Sequence, residues 1–151
     1  MNKLKFKNLF IVVLTTVCIT TVGCSDDDDP QPQVEVTVNG SVLFDNEDDF
    51  NGDIDGSFTS KGGSDTRIFT WQNSLSTADY NADITATSEG SFNMLVADAD
   101  GTIVLDRSLN GASEPDSFSG VTSSGVSGIW TVTITLNSFN GDGSFSLSEG
   151  N

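Results

Sequence analysis

From residue 34 onward the apolar positions of this chain recur every second residue, and nowhere does a run of about ten carry the 3.6-residue period of a helix. Val34, Val36 and Val38 alternate with Glu35, Thr37 and Asn39, the pattern of a half-buried strand. Asn39-Gly40 supplies two residues that tolerate positive φ, predicting a tight turn into Ser41, Val42, Leu43 and Phe44. Residues 67–72 and 82–87 are further short strands. The clearest case is 129–136, where Trp130, Val132, Ile134 and Leu136 fall on one face and Thr131, Thr133 and Thr135 on the other. Its β-branched and aromatic types suit a pleated surface with one side buried.

Two hairpins follow from this pattern. Residues 91–99 lead into Asp100-Gly101 and 102–108 lead out; a two-residue loop places Ala97 opposite Val104, Val96 opposite Leu105 and Met94 opposite Arg107. Phe92, Met94, Val96, Ile103 and Leu105 then share the core face. A second hairpin is expected to join 130–136 to 144–148 across Asn140-Gly141-Asp142-Gly143. About seven to nine short strands separated by Gly, Asn, Asp and Ser clusters predict an all-β fold, a single antiparallel β-sandwich of jelly-roll type over residues 34–151. The segment 128–136, with the alternating stretch Phe139 to Leu147 behind it, resembles the end of small bacterial jelly-roll modules: the convertase P domain, the pre-peptidase C-terminal domain and CUB-like domains. That resemblance covers about 20 residues and implies a non-catalytic module, of a kind that in some members binds calcium or glycans.

The first 33 residues are built differently. Lys3, Lys5 and Lys7 precede an apolar run from Leu9 to Val22, the layout of a secretory signal and shorter than the ~20 residues a bilayer span needs. Val22, Gly23 and Cys24 fit the junction of a bacterial lipoprotein signal, with Thr21 where that family usually has leucine. The run Cys24, Ser25, Asp26, Asp27, Asp28, Asp29 resembles the export signal of Bacteroidetes surface lipoproteins. The resemblance implies a signal peptide over 1–23, acylation of Cys24, and display on the outer face of the outer membrane through that lipid anchor. Residues 24–33, acidic and then Pro-Gln-Pro-Gln, read as a tether to the domain.

Charge narrows the partners. The chain carries a net charge of −16, and once the signal is removed all 22 acids remain against Lys61, Arg67 and Arg107. Such a surface repels phosphate backbones, which excludes nucleic acid. A membrane reached through the anchor, an envelope protein or a glycan are the remaining partner classes. Histidine is absent, which removes His-based zinc sites and Ser-His and Cys-His nucleophile systems. Cys18 leaves with the signal and Cys24 is the acylation site, so the mature domain has no internal disulfide.

Two chemistries are left. Paired carboxylates serve glycosidases, yet no pair stands out by spacing, and the expectation is that the chain is not an enzyme. Asn51, Asp53 and Asp55, at alternate positions before Gly56, mimic the first half of an EF-hand calcium loop. The twelfth position is Gly62 instead of Glu, so an EF-hand is rejected and a weaker calcium site in an acidic loop is left open, with Asp45, Glu47, Asp48 and Asp49 nearby. The favoured account treats these residues as a solvated cluster of turn formers. Among the aromatics, Trp130 is assigned to the core, Trp71 is left open and Tyr80 is expected to be exposed, the last two being the platforms a sugar would use.

Overall fold

The computed structural model describes residues 34–44, 46, 48–86 and 88–150. The signal, Cys24, the tether, Asp45 and Glu47 lie outside those residues. The strands are β1 (Val34–Val38), β2 (Ser41–Val42), β3 (Asp48–Asn51), β4 (Ile54–Asn73), β5 (Ala78–Ala86), β6 (Ser91–Ala97), β7 (Ile103–Asn110), β8 (Ser117–Val121) and β9 (Gly128–Glu149). All pairs are antiparallel except β3 with β4.

Two strands, β4 and β9, organise the rest. They pair from Ile54↔Leu147 to Asn73↔Gly128, and each changes its inward side midway. In β4, Ile54, Phe58 and Ser60 are buried, then Phe69, Trp71 and Asn73. The register slips between Lys61 and Asp65, beside Gly62 at φ 79°. In β9, Trp130, Val132, Ile134 and Leu136 point inward, Asn137 and Ser138 are both exposed, and Phe139, Phe145 and Leu147 then take over the core side. An extra residue in one strand shifts the alternation and bends the strand, which is how a strand turns the corner from one layer into the other.

The corner divides a β-sandwich into two layers. The first contains β2, β1, the first half of β4, the second half of β9, β5 and β8; the second contains β3, the remaining halves of β4 and β9, β6 and β7. Phenylalanines fill the space between them. Phe58 of the first layer stacks on Phe92 of the second at 4.7 Å, and Phe145 meets Phe69 at 6.4 Å. Trp71 and Trp130 pack edge to face at 6.0 Å, and the Arg107 guanidinium lies 5.5 Å from the Phe118 ring, covering the seam between β7 and β8.

Three expectations need correction. No hairpin forms at Asn140-Gly141-Asp142-Gly143, because β9 runs straight through it. Its glycines answer to close approach: a Cβ on Gly141 would sit 2.1 Å from the Thr85 carbonyl oxygen, and one on Gly143 would sit 2.4 Å from the Phe58 ring. The β6–β7 loop is longer than two residues. Asp98 N–H bonds Thr102 O, Gly101 N–H bonds Asp98 O, and Gly101 has φ 80°, the three-residue hairpin whose last residue is left-handed. Val96↔Leu105 and Met94↔Arg107 hold as expected, but Ala97 pairs with Ile103, which sends Val104 into the core and leaves Ile103 57% exposed. The Asn39-Gly40 turn forms as read, with φ 50° and 79°.

The sandwich has distinct ends. The corner end holds the bends of β4 and β9, the β5–β6 and β7–β8 connections, and Val34, which pairs with Ser60. The loop end gathers Asn39-Gly40, Gly52-Asp53, 74–77, 98–102 and 122–127, tied by Trp71 Nε1–H to Gly52 O at 2.7 Å and Gly125 N–H to Ser76 O at 2.7 Å.

Candidate functional site

Asn51 ends β3, Asp53 lies in the connection, and Asp55 is the second residue of β4, exposed on its outer face. What gathers this segment is Asn39. Its Nδ2–H donates to Asp53 O at 3.1 Å, its Oδ1 accepts from Asp55 N–H at 2.8 Å, and its own N–H donates to Asp55 O at 2.8 Å. Trp71 takes the Gly52 carbonyl. The backbone oxygens of Gly52, Asp53 and Asp55 thus already accept protein hydrogens, and among the described residues no three Asp, Glu, Cys or His side chains gather closely enough to hold a metal ion. Asp49 accepts from the Thr70 hydroxyl.

In the sequence Asp98 stands two residues before the turn pair Asp100-Gly101 with nothing to mark it, and its larger part is visible only in the fold. The side chain is buried, Oδ1 accepts from Asp100 N–H at 3.0 Å and Thr102 N–H at 2.8 Å, and Oδ2 accepts from Val126 N–H at 2.8 Å. Gly125 permits the approach, since a Cβ there would lie 2.7 Å from that of Asp98. The Val126 amide above all, with those of Thr102 and Asp100, favours the ionised carboxylate and holds Asp98 below the usual aspartate range, against the opposing effect of burial. Glu149 is likewise lowered by Ser74, whose N–H reaches Oε1 at 2.5 Å. A general acid needs its pKa raised toward the working pH; these two carboxylates move the other way and serve to lock loops.

The aromatics also resolve. Trp71 and Trp130 are fully buried, while Tyr80 is half-buried and packs on Phe118 at 5.8 Å. Among the described residues the exposed aromatic is Phe44, at 78%. The depressions are shallow and open: one of about 290 Å³ lies at the corner end between Ile84, Gly111, Glu114 and Asp116, and a larger one of about 460 Å³ lies between Glu35, Lys61, Asn140 and Asp142.

The two outer faces differ in chemistry. On the first layer the register aligns Glu35–Thr59–Asp142–Thr85, Thr37–Ser57–Ser144–Asp83–Ser117 and Asp55–Ser146–Asn81–Ser119, with Asp79 beyond. It is a hydroxyl and carboxylate surface. On the second layer the rows are Gln72–Ile129, Asp49–Thr70–Thr131–Ala97–Ile103, Ile68–Thr133–Leu95–Asp106 and Thr66–Thr135–Asn93–Ser108. There aliphatic groups and threonine methyls replace the acids, which among the described residues of these rows stand on the edge strands as Asp49 and Asp106.

Comparison with known protein families and with curated proteins gave no match. The structure of TmCBM61 in complex with β-1,4-galactotriose aligns with a TM-score of 0.37 at 9% identity, over 65% of this chain and 61% of that one. A CBM4 structure aligns with a TM-score of 0.35 at 15% identity, over 64% of this chain and 80% of that one.

Proposed function

We propose that this chain is a lipid-anchored surface protein of the outer membrane whose β-sandwich is a non-catalytic binding or adhesion module. One observation carries the reading: a lipoprotein-type junction at Cys24 stands ten residues ahead of the strand that opens the domain. Those residues, extended at ~3.5 Å each, reach ~35 Å. They join the sandwich at Val34 on its corner end, so the loop end is the one held farthest from the anchor. The downward-shifted carboxylates and the open, shallow depressions support action through surface contacts.

The test is metabolic labelling with palmitate. Wild-type protein takes up label and partitions with membranes; Cys24→Ala loses both. Changing Asp26, Asp27, Asp28 and Asp29 to Ala leaves acylation intact and protects the domain from protease added to intact cells. Absence of label on the wild type overturns the anchor, and unchanged surface cleavage of the acidic-run variant overturns its role in display.

A further inference from the structure

We propose that Asn51-Gly52 is a self-modifying site, at which the chain deamidates itself and converts Asn51 to aspartate or isoaspartate without an enzyme. The chemistry needs an asparagine whose side chain is free to turn and a following amide nitrogen that can reach it. Glycine leaves that nitrogen unshielded, because it has no Cβ. Four Asn-Gly pairs occur in the sequence, at Asn39, Asn51, Asn110 and Asn140. The fold restrains three of them and leaves one open.

Asn39 has both side-chain atoms engaged: Nδ2–H donates to Asp53 O at 3.1 Å and Oδ1 accepts from Asp55 N–H at 2.8 Å. At Asn110 the attacking nitrogen is occupied, since Gly111 N–H donates to Gly90 O at 2.9 Å. Gly111 is also buried, and a Cβ there would lie 2.3 Å from Ser88 O. The Asn140 pair runs inside β9, with Gly141 in register between Ser60 and Ala86 and its Cβ position 2.1 Å from Thr85 O. Asn51 differs on each count. It is the last residue of β3, exposed, and its side chain has no hydrogen-bond partner among the described residues. Gly52 lies beyond the ladder at φ 76°, with nothing within 4 Å of its Cβ position, and its N–H meets no acceptor among the described residues. An open depression of about 160 Å³, lined by Asp49, Asn51, Thr70, Gln72 and Ile129, brings water to the side chain.

The Gly52 nitrogen gives its proton to water and attacks Asn51 Cγ. The new C–N bond closes a succinimide ring, and the Cγ–Nδ2 bond breaks to release ammonia. Water then opens the ring at either carbonyl, yielding aspartate or isoaspartate. In sum a water is consumed and an ammonia released, with no change of oxidation state. Either product adds a negative charge to the −16 of the chain and sets a carboxylate in line with Asp53 and Asp55. The isoaspartyl form also inserts a methylene into the backbone between Phe50, packed on Phe69, and Gly52, whose carbonyl Trp71 holds. The loop end therefore changes in charge and shape as the molecule ages.

In the experiment the full chain is held at mildly alkaline pH, folded and in denaturing urea, until the unfolded sample has converted. The mass gain of OH for NH₂ is then located residue by residue in peptide fragments. In urea the four pairs should convert at similar rates. In the folded chain Asn51 should convert at close to its unfolded rate and about tenfold or more faster than Asn39, Asn110 and Asn140, as expected where hydrogen bonds must break ahead of the reaction. Anion exchange should resolve a more acidic species that grows with time and is missing from Asn51→Gln, whose longer side chain closes a ring far more slowly. Equal conversion at all four pairs in the folded chain overturns the proposal, and so does conversion of Asn51 in urea alone.

Discussion

Asp98 Oδ2 accepts the Val126 backbone N–H at 2.8 Å, joining two loops 28 residues apart. With Oδ1 holding Asp100 and Thr102, one carboxylate closes the β6–β7 hairpin and pins it to the connection before β9. Because the folded state lowers its pKa, the stabilisation is present above the ordinary aspartate value of 3.8 and is lost as pH falls through the lower folded value. Asp98→Asn keeps a single acceptor oxygen, so an amide NH₂ must face either the Val126 N–H or those of Asp100 and Thr102. Urea melts from pH 7 to pH 2.5 should show wild type ahead of the variant at neutral pH, with the gap closing below 3.8. A gap independent of pH would mean that Asp98 acts by shape alone.

Gly56 and Gly62 separate two reasons for glycine in one strand. A Cβ on Gly56 would lie 2.2 Å from the Phe145 ring. Gly62, at φ 79°, has nothing within 4 Å of that position. Gly56→Ala should cost ~1–3 kcal/mol by overpacking, larger if Phe145 cannot turn. Gly62→Ala should cost ~1–2 kcal/mol for the left-handed backbone alone. A Phe145→Leu background should rescue the first and leave the second unchanged in denaturant melts.

Trp130 is buried on the inward side of β9 towards the loop end, and its Nε1–H donates to Val126 O at 2.7 Å. Trp130→Ala removes that bond and the edge-to-face contact with Trp71, and ~3–5 kcal/mol of stability should go with them. Thr133→Ala, on the half-exposed outer side, should cost well under 1 kcal/mol. Equal losses would mean that the outer face of β9 is packed as tightly as the inner.

The calcium reading of Asn51, Asp53 and Asp55 has a direct measurement. If the exposed carboxylates of Asp53 and Asp55 bind calcium at the ~10⁻⁴–10⁻³ M of extracellular modules, millimolar calcium adds roughly 1 kcal/mol. That is a few degrees in Tm for a domain of this size. The shift should exceed that of magnesium at matched ionic strength and vanish in the Asp53→Asn, Asp55→Asn double variant. Equal shifts from both ions would show screening, and the Asn39-stapled turn would account for these residues.

Local alternation made β1, β6 and the first half of β9 readable, since every second side chain of each is buried and nothing interrupts the count. The continuity of β9 was not readable. Asn140-Gly141-Asp142-Gly143 has turn composition, and only the carbonyl of Thr85 and the ring of Phe58, distant in sequence, explain its glycines. Ile103 and Val104 exchanged places because one extra loop residue shifts them, and the bulge between Val96 and Ala97 restores the expected register from Leu105 onward. Asp98 looked like its neighbour Asp100 because the partner that distinguishes it, Val126, is supplied by the fold.

β4 and β9 belong to both layers, and this governs how the domain carries force. A pull arriving at Val34 from the corner end draws β1 along its own axis past β4, so the ladder from Val34↔Ser60 to Val38↔Gly56 is loaded in shear, its bonds strained together rather than peeled in turn. β4 hands that load around the corner to the second layer without a break in the chain, and β9 beside it does the same. Tension between the tether and anything gripped at the loop end thus passes first through the β1–β4 ladder in shear and then through continuous backbone, and the layers cannot slide apart unless both strands straighten.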